Sequence, residues 1–156
     1  MEDFELLTKF RRDLHRIPEL SFDLPETIRY VRGVLDGLSC EVTTPCESCV
    51  CAFFDVSAAC GRESGGPATA VRADMDALPI TENSGVEVCS SKPGHMHACG
   101  HDGHMAMALA AACWVDEVLR GVREGAACPL PRNVLFVFQP AEETTGGARI
   151  VCESGV

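Results

Sequence analysis

The chain is organised around residues 96–104, which read Met96-His97-Ala98-Cys99-Gly100-His101-Asp102-Gly103-His104. One thiol and three imidazoles fall within this short stretch, a density of metal-binding groups that a packed core or a solvated surface rarely needs. Gly100 separates Cys99 from His101 and lets the backbone turn tightly enough for both side chains to reach one ion or an adjacent pair. Metal binding is therefore the first hypothesis for Cys99 and His101.

A helix is predicted directly after this stretch. The Ala-rich apolar run over residues 103–119 has helical periodicity, and Asp102 before it is a residue type that caps helix N-termini. His101 is then expected just before the helix and His104 in its first turn. Two interpretations of His97 and His104 stay open, namely metal ligands or ordinary capping and core-edge histidines.

Composition and charge narrow the class of protein. A chain of 156 residues with 46% hydrophobic and 23% charged residues is typical of one soluble globular domain. Acidic residues outnumber basic ones 23 to 13, and the net charge of -10 repels phosphate backbones and anionic membranes. We therefore expect neither nucleic acid nor a membrane as a partner.

The first residues also bear on localisation. Residues 1–5 include acidic residues where a secretory signal would be basic and then apolar, and no run approaches the roughly 18 apolar residues of a membrane helix. We therefore expect a cytoplasmic protein whose ten cysteines are free thiols rather than disulfides.

The spacing Cys46-x-x-Cys49-x-Cys51 has two interpretations. It could form a small zinc or redox site, because three thiols lie close together in the sequence. Against this, no second ligand pair stands at zinc-finger spacing, and residues 48–54 alternate as a strand does.

The remaining elements follow from periodicity and turn residues. Apolar residues three and four apart predict helices over 4–17 and 24–38. Pro18 ends the first helix, and Pro25 lies near the start of the second. Strands are predicted at 41–44, 48–54, 68–72 and 134–138, with a loop at 57–67 and a last helix over 144–152. The strand at 134–138 is apolar throughout and should therefore be central, with both faces covered.

This order predicts an α/β fold, with helices packed on a mixed, mainly parallel sheet. Two predicted strands run into acids, the first into Asp74 and Asp76 and the second into Glu142 and Glu143. If both strands point the same way, these carboxylates meet at one edge of the sheet, beside residues 96–104. Clustered carboxylates repel one another, and one or two divalent cations would relieve that repulsion.

Four motifs carry a family resemblance, and they cover nearly the whole chain in order. They are Arg11-Arg12-Asp13-Leu14-His15 with Pro18-Glu19-Leu20-Ser21, Arg72-Ala73-Asp74-Met75-Asp76-Ala77-Leu78-Pro79, Met96 to His104, and Gln139-Pro140-Ala141-Glu142-Glu143 with Gly146-Gly147-Ala148. With these motifs the sequence resembles the N-terminal part of the co-catalytic metallo-amidohydrolases. That family includes N-acyl-amino-acid amidohydrolases, hippurate hydrolases and auxin-conjugate hydrolases, and is related to aminoacylase and to glutamate-releasing carboxypeptidases.

The resemblance implies an architecture and a substrate class. Residues 1–156 would form a partial metallohydrolase catalytic domain, without the dimerisation domain and the C-terminal part of the catalytic domain, and a homodimer would be expected only for a full-length form. The substrate would be a small N-acyl amino acid or peptide whose amide bond is hydrolysed with two divalent ions. Thiolate and imidazole favour zinc, whereas a carboxylate-rich pair also accepts manganese, cobalt or nickel.

The resemblance also implies residue roles. Cys99 would be a bridging or shared metal ligand, His101 a terminal ligand and Glu143 a further ligand. The catalytic residues would be Glu142 as general base and acid, and Asp76, which would orient a ligand. Asp74 takes the position of a histidine in wider relatives and is not expected to be a ligand. The alternative for Asp74 and Asp76 is a turn with a helix cap.

Adjacent side chains on an extended segment point to opposite sides, so we expect one glutamate of the pair Glu142-Glu143 to face the metal and the other the attacking water. Two other classes of function remain open. One is a non-catalytic metal-binding or interaction protein on a truncated hydrolase scaffold. The other is a redox or nucleophilic enzyme that uses Cys99 with His101.

Overall fold

Helices and strands alternate along the chain. The computed structural model describes residues 2–144 and 146–156. Its elements are α1 (Glu2–His15), α2 (Pro25–Leu35), β1 (Glu41–Thr43), β2 (Val50–Phe54), α3 (Val56–Ala59), β3 (Ala68–Asp74), α4 (His101–Arg123), β4 (Asn133–Gln139) and α5 (Gly147–Glu153). These positions confirm the predicted α/β order, although residue 145, inside the predicted last helix, lies outside the described residues.

The four described strands form one mixed sheet in the order β1-β2-β4-β3. The strand β4 has a neighbour on both sides and is almost wholly buried, as its apolar sequence predicts. Only β3 and β4 are parallel, since the β1–β2 and β2–β4 pairs are antiparallel. The expectation of a mainly parallel sheet is therefore wrong for these strands. The six-residue connection between β1 and β2 is too short for the crossover that parallel neighbours require.

The parallel pair β3 and β4 fixes the position of the acidic residues. The helix α4 lies in the connection between these two strands, as in a parallel crossover, and their register places Asp74 opposite Gln139. The strand β3 runs two residues further than predicted, to Asp74, and β4 runs one residue further, to Gln139. Their carboxyl ends therefore meet at one edge of the sheet.

The start of α4 differs from the prediction. The helix begins at His101, and the residue before it is Gly100 with φ +94°, a left-handed conformation that glycine adopts at little cost. Asp102 lies in the first turn and is not the N-cap residue. Its Oδ1 accepts from the N–H of Gly103, while its Oδ2 accepts from His15 of α1 and pairs with Arg11. The second difference is the short helix α3, which occupies part of the predicted loop at 57–67.

The sheet has two covered faces, because alternate residues of a strand point to opposite sides. Val50, Ala52 and Phe54 of β2 pack into the main core with helices α1, α2 and α4. Phe54 meets Phe136 of β4 there in an edge-to-face contact, with the ring centroids 5.9 Å apart. The opposite face carries a smaller cluster of buried Cys49, Cys51, Val137 and Val151 with partly buried Cys46 and Leu135.

All ten cysteines are free thiols. Within the described residues, the helices lack the combination of length and apolar composition that crossing a bilayer requires.

One glycine packs too closely for any side chain. A Cβ atom on Gly147, the first residue of α5, would lie 1.9 Å from the carbonyl oxygen of Pro140. We expect Gly147→Ala to lower the free energy of unfolding by about 1–3 kcal/mol, because the backbone of the adjoining Pro140–Glu143 segment must move. Urea denaturation measures the change.

The matched control is Gly33→Ala in the middle of α2. A Cβ atom there meets no atom within 4 Å, so the substitution should be neutral or stabilise the protein by about 0.5–1 kcal/mol. Equal effects of the two substitutions would contradict the close approach at Gly147.

Candidate metal centre

The candidate metal centre lies at the edge of the sheet where β3 and β4 end. The backbone N–H of Met75 donates to the carbonyl of Gln139 at 2.8 Å, which extends the pairing one residue beyond β3. Asp76 follows on one side, and Glu142 with Glu143 on the other. The start of α4 brings His101 to the same place.

Asp76 fixes the backbone of the glutamate pair. Its side chain is fully buried, and its two carboxylate oxygens accept hydrogen bonds from the N–H of Glu142 at 2.9 Å and of Glu143 at 3.0 Å. A carboxylate that accepts two backbone amides holds a loop in one conformation. The structure thus places Asp76 against the backbone of a predicted ligand and of the predicted base, and not at a helix cap.

A second contact sets the orientation of the His101 ring. Its Nδ1 lies 2.8 Å from the backbone carbonyl oxygen of Asp76. Because a carbonyl can only accept, Nδ1 carries the proton and Nε2 is left with a free lone pair. That Nε2 atom lies 3.7 Å from Oε2 of Glu142 and 3.9 Å from Oε1 of Glu143.

Three predicted metal ligands converge. One ligand atom each from Cys99, His101 and Glu143 lies within 4.8 Å of the other two. Among the described residues, no hydrogen-bond donor reaches the buried Oε1 atom of Glu143, and a buried carboxylate oxygen without a partner is costly. A divalent cation would satisfy this oxygen, and a thiolate, an imidazole and a carboxylate are all ligands that zinc accepts. The residues present therefore fit a divalent cation.

The acidic surroundings change the chemistry of Cys99. The adjacent carboxylate of Glu143, partial desolvation and the charges of Glu142 and Asp74 raise the pKa of this thiol above its usual value. A nucleophilic cysteine needs the opposite, a neighbourhood that lowers its pKa. In the absence of a cation, this environment disfavours the thiolate.

The two glutamates do not face opposite sides. Both carboxylates approach Nε2 of His101, although Glu142 is 40% exposed and Glu143 only 17%. The assumption of an extended segment was wrong, because the segment follows Ala141, whose φ is +53°, and continues as a bend. Glu142 consequently lies at the solvent side of the same group. The separate roles of the two glutamates stay a prediction.

Asp74 is paired elsewhere. Its two oxygens accept from Nε and Nη2 of Arg72 at 3.0 and 2.9 Å, and its side chain is not part of the three-residue group. That Asp74 is not a ligand stays a prediction.

His97 and His104 also lie outside the three-residue group. His97 is buried, and desolvation lowers its pKa to about 4. Within the described part of the chain neither of its ring nitrogens has a hydrogen-bond partner. The ring of His104 lies beside that of His101, with centroids 5.7 Å apart.

Sequence reasoning missed a buried network behind the site. Oδ2 of Asp102 lies 2.7 Å from Nδ1 of His15 and 3.0 Å from Nε of Arg11, and Nε2 of His15 lies 3.3 Å from Glu82. These contacts tie α1 to the start of α4. The available signal was the i, i+4 spacing of Arg11 and His15 on α1, which puts both on one helix face.

Residues 70–156 match the family model described as peptidase family M20/M25/M40. An uncharacterized hydrolase of Staphylococcus aureus strain USA300 is 41% identical over 157 residues, which cover 99% of this chain and 37% of that protein.

Two solved structures are similar to this chain over nearly its whole length. A Bacillus subtilis protein described as a dinuclear metal-binding peptidase of the M20 family superposes with a TM-score of 0.82 at 39% identity, covering 99% of this chain and 40% of that one. An aminobenzoyl-glutamate utilization protein from Klebsiella pneumoniae superposes with a TM-score of 0.61 at 25% identity, covering 99% and 42%.

Because the family model covers more than half of the chain, this chain belongs to peptidase family M20/M25/M40. This confirms the resemblance that its four motifs carry. The chain spans about 37% of the length of the Staphylococcus relative that it matches.

The contacts of Asp76 predict the effect of its substitution. In Asp76→Asn, an amide N–H2 replaces one acceptor and faces a backbone N–H, so a buried charge-assisted hydrogen bond is lost. We expect the free energy of unfolding to fall by about 1.5–3 kcal/mol, measured by urea denaturation in the presence of a chelator. The control is Asp23→Asn at an exposed position, which should change it by less than about 0.5 kcal/mol. Similar changes in both variants would refute the anchoring role.

The lowered pKa of Glu82 predicts that the free energy of unfolding depends on pH in acid solution. Hydrogen bonds from the Ser84 hydroxyl, the Ser90 N–H and His15 lower its pKa to about 2 from its usual value of 4.5. The folded state binds this proton less readily than the unfolded chain, so the stabilisation is present above pH 4.5 and is lost as the pH falls toward 2.

In Glu82→Gln the free energy of unfolding should therefore fall less steeply between pH 4.5 and 2 than in the parent protein. Denaturation at a series of pH values measures this slope. Glu87→Gln, at an exposed neighbouring position, should keep the parent slope. If the slope of Glu82→Gln also equals that of the parent, Glu82 does not contribute to acid unfolding.

Proposed function

We propose that this chain forms the metal-binding N-terminal part of the catalytic domain of a hydrolase that cleaves the amide bond of N-acyl amino acids or small peptides. The observation that carries the proposal is the convergence of Cys99, His101 and Glu143 within 4.8 Å, with Glu142 beside them. The description of the Bacillus relative as a dinuclear metal-binding peptidase supports it.

Cys99, His101 and Glu143 would hold a divalent cation. When bound, such a cation polarises a carbonyl and makes water acidic enough to react near neutral pH. The thiol of Cys99 and the Nε2 lone pair of His101 suit zinc, and three protein ligands leave one position of a tetrahedral site open for substrate. A second ion is proposed on the family resemblance and on the same relative.

Glu142 is placed to move the proton. Its carboxylate is 40% exposed and lies 3.7 Å from His101, so it can reach a water molecule at the solvent side of the centre. In this proposal Glu142 takes a proton from that water as the oxygen attacks the amide carbonyl. It then gives the proton to the leaving amine nitrogen as the carbon–nitrogen bond breaks. The hydrogen bond from its backbone N–H to Asp76 keeps the carboxylate in reach.

Asp76 acts as a positioning residue in this scheme. Through its carboxylate it holds the backbone of Glu142 and Glu143, and through its carbonyl it sets which nitrogen of His101 is free. The substrate specificity is proposed only to the level of the class, an N-acyl amino acid or a small peptide.

A nucleophilic role for Cys99 is disfavoured by the same geometry. The thiol lies among carboxylates that raise its pKa, and thiolate nucleophiles occur in electropositive surroundings. The alternative, a non-catalytic metal-binding protein, would use the same three ligands. Zinc titration together with a hydrolysis assay separates it from an enzyme.

The neighbouring glutamates make a matched pair of variants. Glu143→Gln removes a proposed ligand and should weaken zinc binding by more than about 100-fold, because even the loss of an outer hydrogen-bond partner costs about 10–100-fold. Glu142→Gln should leave zinc affinity within about threefold, since Glu142 is not a ligand. Calorimetric titration of the chelator-treated protein measures both. Equal losses of affinity in the two variants would contradict the separate roles.

Hydrolysis is tested with a panel of N-acyl amino acids on the metal-loaded protein. Glu142→Gln should lower kcat by about 10²–10⁴-fold with the zinc content unchanged, because a general base contributes about that much. Activity that survives in Glu142→Gln would exclude it as the base. Bound zinc without hydrolysis of any substrate in the parent protein would favour the non-catalytic alternative.

A further inference from the structure

Three cysteines cluster on the face of the sheet opposite the main core. Cys49 is fully buried, Cys51 is 3% exposed, and their sulfurs lie 3.9 Å apart. Cys46 is half-buried at the margin of the same cluster. We propose that Cys46, Cys49 and Cys51 form a second metal site, one for a soft d¹⁰ cation of the zinc, cadmium or copper(I) type.

The backbone brings the three thiols together. Cys51 is the second residue of β2 and Cys49 precedes the strand, so both side chains point to the same face. The N–H of Cys49 donates to the carbonyl of Cys46 at 3.2 Å, and this turn returns Cys46 to the cluster. The hydroxyl of Ser48, inside the turn, donates to the carbonyl of Phe22 and holds the turn against the domain.

The distance between the two buried sulfurs matches a shared ion. Two sulfurs bound at about 2.3 Å to one ion lie roughly 3.8 Å apart in tetrahedral geometry and 4.0 Å in trigonal geometry. The observed 3.9 Å falls between these values. A cation placed beside the pair would be held by these two sulfurs, and Cys46, which packs against the same cluster, would supply the third.

A disulfide fits this pair less well. Two residues apart along a strand, Cα atoms are separated by roughly 6.6 Å, close to the upper limit of about 6.8 Å for disulfides. The sulfurs would also have to approach to about 2.05 Å. A metal ion needs neither change, because it bridges the sulfurs at their present separation.

The surroundings select the class of ion. The other members of the cluster are Leu135, Val137 and Val151, which offer no oxygen or nitrogen ligand from their side chains. Hard cations such as magnesium and calcium require oxygen ligands, whereas thiolates select zinc and copper(I). Two thiolates neutralise one divalent ion, so Cys49 and Cys51 would bind it without leaving a net charge in an apolar environment. Binding would release one proton from each thiol that becomes a ligand.

Cadmium is a suitable probe, because thiolate-bound cadmium absorbs in the ultraviolet. The experiment uses the reduced chain carrying Cys99→Ser, which removes the one thiol of the candidate metal centre. We expect this protein to bind one cadmium ion with thiolate absorption. Adding Cys51→Ser should weaken that binding by more than about 100-fold, and adding Cys46→Ser by at least about 10-fold. The matched control is Cys60→Ser, a cysteine outside the cluster, which should change nothing.

Cys46 is half-buried, so its serine variant keeps the test valid if the variant at buried Cys51 fails to fold, which circular dichroism would show. Absence of thiolate absorption in the Cys99→Ser protein would overturn the proposal. So would absorption and affinity that are the same in the Cys46→Ser and Cys60→Ser variants. Neither result bears on the proposed hydrolase function, because Cys99 is replaced in every protein compared.

Discussion

The carboxylate of Asp76 is the contact on which the arrangement of the site depends. Each of its oxygens accepts one backbone N–H, from Glu142 and from Glu143. The side chain is fully buried, so water cannot replace either bond. Together with its carbonyl, which accepts from His101, one residue positions two glutamates and one imidazole.

This residue can do so because of the parallel pair β3 and β4. Parallel neighbours end at the same edge, so the segments that follow them face each other across a short gap. The crossover helix α4 begins at that edge and brings in His101. Mutual repulsion among the acids at this place favours a cation, and such a cation would satisfy the Glu143 oxygen that has no hydrogen-bond partner in the described part of the chain.

Much of this followed from the sequence, since period and turn residues predicted every described strand. The strand ends predicted acids beside Cys99 and His101, and the family resemblance singled out Glu143 among them. Local pattern failed where a distant partner decides the outcome. The sequence predicts Asp102 as a helix cap, but its carboxylate accepts a hydrogen bond from His15, 87 positions earlier in the chain. The sequence predicts that the Glu142 and Glu143 side chains point to opposite sides, but the left-handed conformation of Ala141 bends the segment. Strand direction across the sheet is likewise a property of pairing that no single strand encodes.

Asp76 thus holds His101 and Glu143 beside Cys99 in an arrangement that is ready for a cation before the cation binds. A crystal structure with zinc, with the ion located by anomalous scattering, tests this most directly. Zinc should lie about 2.0–2.1 Å from Nε2 of His101 and about 2.3 Å from the Cys99 sulfur, with both backbone amides still bonded to Asp76. Zinc on Nδ1 of His101, or a rebuilt Glu142-Glu143 segment, would contradict it.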